Sequence, residues 1–228
     1  MTNYYDNPMK LKIPGWANLL DKYLQNPTRE QIASKFGLEG GSCLDVACGD
    51  GELLNKYLSN RYSNMVGVDI SDEQIGVAKN GANKNTKFYK SEVKTFLRKL
   101  AFDKILFDDV YMLAFLEHTD WPVEILMLVS EILKKNGRLV VEVPNVAWLT
   151  HRLSLFLGRF PETASTQGVI PGVHDEHLRF FTLSSLDKVC AKTGYVRINF
   201  DVCGRLRTLK SLWPKILSPD IIAVYKKK

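Results

Sequence analysis

No hydrophobic run in the 228-residue sequence approaches the roughly 20 residues that a membrane-spanning helix needs. The opening stretch MTNYYDNPMKLKIPGW holds no apolar core of the signal-peptide type. Together these absences lead us to expect a soluble, cytoplasmic protein without a membrane span. Cysteine is sparse: Cys43, Cys48, Cys190 and Cys203 are the four, and no C-x-x-C pair exists among them. That argues against a cysteine zinc site and for buried, reduced thiols. Internal repeats and low-complexity segments are also missing. The net charge of +6 includes the terminal Lys226, Lys227 and Lys228, and no arginine stripe interleaved with aromatics accompanies it. Charge therefore gives no pointer to nucleic acid. The content of 45% hydrophobic and 25% charged residues is that of an ordinary globular protein and argues against wholesale disorder. The length fits one domain, with room for a small cap.

Periodicity supplies the organisation. Residues 15–36 read as helical, with Trp16, Leu19, Leu20, Tyr23 and Leu24 on one side. Pro27 interrupts this pattern, and Thr28 is placed to cap a second helix. Beyond residue 40, strands and helices alternate. Strands are expected at 42–47, 64–70, 86–93, 108–116 and within RLVVEVPN. Helices are expected after Gly51, in SDEQIGVAKNGA with a Ser71–Gln74 capping box, in KTFLRKLAF, and in WPVEILMLVSEILKKNG. In that last helix Pro122 sits in the first turn and Gly137 is the expected stop. This alternation predicts an α/β fold: a doubly wound, mostly parallel seven-stranded sheet with helices on both faces. The strands are apolar runs, as a sheet covered on both faces requires. The pattern changes after Asn145. VAWLTHRLSLFLGRF reads as a helix, a turn-rich loop follows, and TLSSLDKVCAKTG reads as a helix ending at Gly194. YVRINFDV and DIIAVYKK read as a final antiparallel pair at the sheet edge, the last strand running against the rest.

One stretch, CLDVACGDGELL, carries the chemistry. Gly49 and Gly51 follow the first strand, where an open α/β sheet binds its ligand. Their expected role is the tight turn and close backbone approach. A dinucleotide loop needs G-x-G-x-x-G, and here Leu54 replaces the third glycine. Asp45, Asp50 and Glu52 would also face a phosphate with like charge, and unit charges about 4 Å apart interact by about 4 kcal/mol at a surface-like dielectric. Pyrophosphate is disfavoured and a cationic ligand favoured. Asp69 ends the second strand, where an acid accepts hydrogen bonds from ribose hydroxyls. A ribose, positive charge and no phosphate describe S-adenosylmethionine, with S-adenosylhomocysteine as its product.

Several motifs in order resemble the class I S-adenosylmethionine-dependent methyltransferases. LDVACGDG is similar to their first motif and VGVDIS to the second. FYKSEV is similar to the third-strand segment that meets adenine, FDDVYMLAFLEHTDWP to the fourth motif, and ILKKNGRLVVEVPN to the segment before the fifth strand. There Lys135 and Asn136 stand where relatives have proline and glycine. The resemblance runs over about residues 40–200. It implies a cofactor site built from Asp45, Ala47, Cys48, Gly49, Asp50, Gly51, Asp69, Ile70, Ser91, Glu92, Val93, Leu113 and Ala114. Residues 1–40 are then an N-terminal helical segment on the core. Residues 41–228 are the methyltransferase domain, with a cap or substrate insertion at about 146–182.

Methyl transfer requires alignment of donor and acceptor, with a base where the acceptor is a hydroxyl. Glu117 and His118 follow the fourth strand. His118 is a candidate base or substrate contact, and equally a loop-stabilising residue beside a helix capped by Asp120. Some relatives carry Glu-x-x-Glu-His here and bind a divalent metal. Ala114 replaces the first glutamate, so no metal is expected. HDEHLRFFT places His174, His177 and Arg179 on a loop that reads as substrate-facing, with His177 the second catalytic candidate and Phe180 and Phe181 as packing groups. The paired histidines also admit a metal. Residues 148–160 form a cap over an acceptor pocket or an ordinary packing helix. The resemblance extends to a subgroup associated with surface glycans, so the expected acceptor is a small molecule or glycan-linked group methylated on oxygen or nitrogen. The expected assembly is a monomer or homodimer without nucleic acid. A different class remains open: a cofactor-binding regulatory protein that acts through a partner without turnover.

Overall fold

The computed structural model describes residues 27–159, 161, 177–203 and 213–228. The expected helix around Trp16, His174 and most of the loop before His177 lie outside the described residues. Seven strands form the sheet: β1 (Ser42–Val46), β2 (Asn64–Asp69), β3 (Thr86–Lys90), β4 (Phe107–Leu113), β5 (Leu133–Pro144), β6 (Tyr195–Val202) and β7 (Asp220–Lys227). Their spatial order is β3-β2-β1-β4-β5-β7-β6. The first five are mutually parallel, and β7 runs antiparallel to both β5 and β6. The last strand is thus the reversed one, as expected, but it lies inside the sheet and β6 takes the edge. Helices are α1 (Arg29–Ala33), α2 (Asp72–Asn80), α3 (Val93–Phe102), α4 (Pro122–Ile132), α5 (Leu149–Phe156), α6 (Leu183–Lys192) and α7 (Pro214–Leu217).

Side chains alternate between two apolar layers, which explains the continuous hydrophobic runs. Leu44, Val46, Val66, Val68, Val110, Met112, Val141 and Val143 point into one core. Cys43, Met65, Tyr111, Leu113, Val140, Ile222 and Val224 point into the other. All four cysteines are buried, and none forms a disulfide among the described residues. Among the described residues no helix is long and apolar enough to cross a membrane.

Local signals account for most element ends. Thr28 caps α1 by accepting from the Gln31 amide at 3.2 Å. Ser71 caps α2 by accepting from the Gln74 amide at 3.3 Å. Thr182 and Ser185 form a reciprocal capping box on α6. Two expectations are corrected. The segment after Gly51 is a five-residue π-helical turn, Leu53–Tyr57. The helix begun by Pro122 ends at Ile132 rather than at Gly137, because Leu133 is buried and pairs with Phe107 at the start of β5. Asn136 then turns with φ 71°, and Gly137 passes so close to the chain that a Cβ would meet the Asp108 and Lys134 carbonyl oxygens at 2.9 Å.

The reversal of strand order lies at β1, which pairs with β2 on one side and β4 on the other. That is the switch point outside which open α/β sheets bind ligands. Gly51 fixes the turn there. Its φ is +76°, and a Cβ would lie 2.8 Å from the Phe88 ring and 3.0 Å from Ala78. Strain and overpacking act together, so Gly51→Ala is expected to lose about 2–4 kcal/mol of unfolding free energy. Urea titration checks this, and a loss under about 0.5 kcal/mol would contradict it.

Candidate functional site

The site is built on the turn after β1. Ala47, Gly49 and Gly51 all take left-handed φ, at 56°, 51° and 76°. Alternation of these residues with Cys48 and Asp50 turns the chain sharply over the sheet edge. The Cys48 amide bonds the Val68 carbonyl at 3.0 Å, and the Gly51 amide bonds the Cys48 carbonyl at 3.0 Å. Asp69 locks the turn to β2. Its carboxylate accepts from the Gly49 amide at 2.9 Å and from the Ser71 amide at 2.9 Å. Each oxygen keeps a further lone pair for a ligand. Among the described residues only Gln74 Oε1, at 3.9 Å, comes within 4 Å of a Cβ built on Gly49, so there this is the open side of the loop. Ile70, next to Asp69, is 62% exposed. Such an apolar side chain beside an acid suits the flat face of a base.

The acids of the loop divide. Asp45 is buried at the end of β1, and its carboxyl is held well above its usual range. Burial is the main cause, followed by the nearby charges of Glu30, Asp69 and Asp50, against which Arg29 works. Asp50 is exposed and accepts from the Glu52 amide at 3.0 Å. Glu52 pairs with Lys56 at 2.9 Å. Besides burial, the charge that acts most on Asp45 is that of Glu30, from α1.

Glu92 also has a structural task at the start of α3. Its two carboxylate oxygens accept from the Lys94 and Thr95 amides at 2.9 and 2.6 Å, capping α3. Burial pushes its pKa up, but these bonds and the neighbouring Lys94 outweigh that and lower it. Ser91 stays in position by donating its amide to the Asp69 carbonyl at 2.9 Å, with Val93 buried behind it.

Across the crevice, β4 ends as β1 does. Leu113 is buried, and Ala114 takes φ 49°. The Ala114 amide donates to Glu142 Oε2 at 2.9 Å. Glu142, at the end of β5, lies 3.8 Å from the Arg29 guanidinium, which also holds Glu30 at 2.7 Å. Arg29 thus stands among Asp45, Glu117 and Glu142 as the cation of an otherwise acidic crevice. Sequence reasoning missed Arg29, Glu30 and Glu142. An arginine in a first helical turn and an acid in a strand carry no motif, and only the packing of α1 over the strand ends brings them together.

The short 3-10 turn Leu116–His118 follows. Glu117 is 1% exposed, and neither of its carboxyl oxygens has a hydrogen-bond partner. Burial pushes its pKa up to about 7. The segment 177–181 is stitched over this turn. Arg179 donates its amide to the Glu117 carbonyl at 3.0 Å and its guanidinium to the Asp120 carbonyl at 2.8 Å. Arg179 is thus a backbone clamp between the two segments. The His118 and His177 rings meet edge to face, 4.8 Å between centroids. Glu117, His118 and His177 have candidate ligand atoms all within 4.8 Å of one another. Sequence reading named all three residues, but placed His177 with His174 and did not join it to Glu117. Asp120 does not cap α4, whose preceding turn is held by Thr119 Oγ1 accepting from the Trp121 amide at 3.4 Å.

Asn145 organises the cap. It takes the Pro219 carbonyl at 2.6 Å through its amide, the Ser218 carbonyl at 2.9 Å through its side chain, and the buried His151 of α5 at 3.2 Å through its own carbonyl. Most of α5 beyond His151 is exposed, so the described part of the expected cap is not a core-packing helix.

Comparison with known proteins agrees with this geometry. A family profile described as "Methyltransferase domain" matches residues 18–198. The ubiquinone biosynthesis O-methyltransferase of Dechloromonas aromatica is 29% identical over 127 residues, covering 53% of this chain and 52% of that protein. The chain spans about half the length of the curated relatives it matches. Among solved structures, a SAM-dependent methyltransferase from Archaeoglobus fulgidus superposes with a TM-score of 0.62 at 18% identity, covering 93% of this chain and all of the other. Magnesium protoporphyrin IX methyltransferase from Synechocystis PCC 6803, solved with bound SAH, gives 0.61 at 14% identity, covering 98% and 91%. At such identity the two structures speak for the fold.

The buried acids predict a pH response. Burial lifts Glu142 from 4.5 to about 8, with Arg29 opposing the shift. The folded state therefore holds this proton where the unfolded chain has lost it, and stability falls as pH rises from about 4.5 to about 8. Glu142→Gln is expected to lessen that fall. Urea unfolding at pH 5 and pH 8 measures it, and an equal fall in both proteins would contradict the assignment.

Proposed function

The chain belongs to the class I S-adenosylmethionine-dependent methyltransferases, and from that premise we propose that it transfers a methyl group from S-adenosylmethionine to a small-molecule acceptor. The observation that carries this reading is the acidic crevice at the strand switch point, open at Gly49. Asp69 takes the ribose hydroxyls with the lone pairs its two amide bonds leave over. Ile70 and Leu113 lie along the adenine, with Ser91 and Val93 at its edge. Asp45 and Glu30 face the cationic methionine end, and Arg29 takes its carboxylate. This arrangement explains why a carboxylate-rich crevice retains one arginine: the methionine moiety carries both signs of charge.

The reaction is an in-line displacement. A lone pair of the acceptor forms the new bond to the methyl carbon, the carbon–sulfur bond breaks, and its electron pair stays on sulfur. The sulfonium becomes the neutral thioether of S-adenosylhomocysteine, and the acceptor's proton leaves. The protein's contribution is alignment and exclusion of water. Glu117, His118 and His177 stand at the acceptor end, and activation of the acceptor falls to them. An oxygen acceptor is favoured over nitrogen by the relative's name, and a free small molecule over a glycan-linked group by the same relative.

Calorimetry with S-adenosylhomocysteine tests the cofactor site. Asp69→Ala is expected to weaken binding by about 1–3 kcal/mol, through lost ribose bonds and a looser glycine turn. Unchanged affinity would retire the ribose assignment. Turnover on a panel of hydroxylated aromatic and aliphatic acceptors tests the activity. His118→Ala and His177→Ala are expected to lower turnover at least tenfold with cofactor affinity kept. Cofactor binding without turnover on any acceptor would favour a regulatory protein.

A further inference from the structure

The acceptor end contains a feature that methyl transfer by positioning alone leaves unexplained. Glu117 is 1% exposed, and both of its carboxyl oxygens lack any hydrogen-bond partner. Buried polar groups in folded proteins are almost always satisfied, and an orphan carboxylate signals a missing ligand or ion. Two half-buried imidazoles, His118 and His177, lie beside it, with ligand atoms of all three groups within 4.8 Å of one another. The three come from two distant parts of the chain. The clamp from Arg179 to the Glu117 and Asp120 carbonyls holds the two parts together, two residues from His177.

We propose that Glu117, His118 and His177 form a divalent transition-metal site of the zinc class, with its remaining coordination open toward the acceptor pocket. The donor set decides the class of ion. Two imidazole nitrogens and one carboxylate oxygen suit zinc, cobalt or iron, whereas magnesium requires a near-octahedral oxygen shell. A tetrahedral site with bonds of about 2.0–2.1 Å places its ligands about 3.4 Å apart. The donors, now within 4.8 Å of one another, must therefore close by up to about 1.4 Å, which half-buried imidazoles reach by ring rotations. Three protein ligands leave a fourth position for an exogenous oxygen, the pattern of catalytic rather than structural zinc.

This rests on and deepens the proposed function, and it departs from the expectation of no metal, which drew on Ala114 in place of the first glutamate. In this chain the third donor is His177, from the segment folded over the site. On the methyltransferase reading, a hydroxyl oxygen of the acceptor would bind the ion, lose its proton more readily, and be held beside the sulfonium methyl.

The test is metal binding to the full chain without cofactor or acceptor, so its outcome is independent of the methyl-transfer reading. Chelator-stripped protein is titrated with Zn²⁺ and, separately, with Co²⁺, and Mg²⁺ serves as the contrast. One Zn²⁺ or Co²⁺ per chain is expected, with the strong visible absorption of low-coordinate cobalt and no comparable uptake of Mg²⁺. Glu117→Gln, His118→Ala and His177→Ala should each weaken Zn²⁺ binding at least roughly 100-fold, since ligand loss exceeds the 10–100-fold cost of removing an outer partner. Circular dichroism and thermal unfolding establish that each variant is folded. If Glu117→Gln is not, the two histidine variants decide. Absence of Zn²⁺ binding at micromolar concentration would overturn the site. So would binding that survives His118→Ala and His177→Ala but is lost in His174→Ala, which would place the ion elsewhere.

Discussion

The carboxylate of Asp69 holds the amides of Gly49 and Ser71 at once. Those two bonds join the turn after β1, the end of β2 and the start of α2. Charge-assisted bonds of this kind contribute about 1.5–3 kcal/mol each, enough to offset the strain of a non-glycine residue such as Ala47 in left-handed conformation. Everything at the crevice follows from that anchoring. Gly49 presents an open side, Ile70 stands exposed beside the acid, and Asp45 is left buried behind the turn.

A buried acidic crevice costs stability in the empty protein. Asp45, Glu117 and Glu142 all have their pKa values raised, chiefly by desolvation. Arg29 offsets part of this, but a guanidinium whose side chain is about half exposed cannot neutralise three acids. A cation entering the crevice relieves what folding left uncompensated. Strain stored in this way is common at functional sites. It also separates the two ends of the crevice. On the proposed reading the cofactor end is acidic around Asp45 and Asp69, and the acceptor end adds imidazoles from His118 and His177.

The legible part of the fold was the part fixed by local chemistry. Strand periods, the Thr28 and Ser71 caps, and the reversed final strand were all readable, since each depends on near neighbours in sequence. Gly137 misled, because a glycine past a helix pattern usually marks a stop. Here it serves a close chain crossing between β4 and β5, a contact visible only in three dimensions. The candidate site divides along the same line. Gly49, Gly51, Asp45 and Asp69 were recognisable from spacing after a strand. Glu52, Glu92 and Arg179 carry the right charge but satisfy Lys56, a helix end and backbone carbonyls. Arg29 and Glu142 gave no signal, since their role comes from α1 lying across the strand ends. His177 was singled out for its histidine partner in sequence, whereas its described neighbours in space are His118 and Glu117.

The central claim is that this glycine turn selects a cationic adenosyl ligand and rejects a pyrophosphate. Competition at equilibrium tests it most directly. Labelled S-adenosylmethionine is bound to the protein, and ADP-ribose, which shares the adenosine but carries two phosphates, is added in large excess. The account predicts that the label stays bound. Displacement of S-adenosylmethionine by ADP-ribose would contradict it.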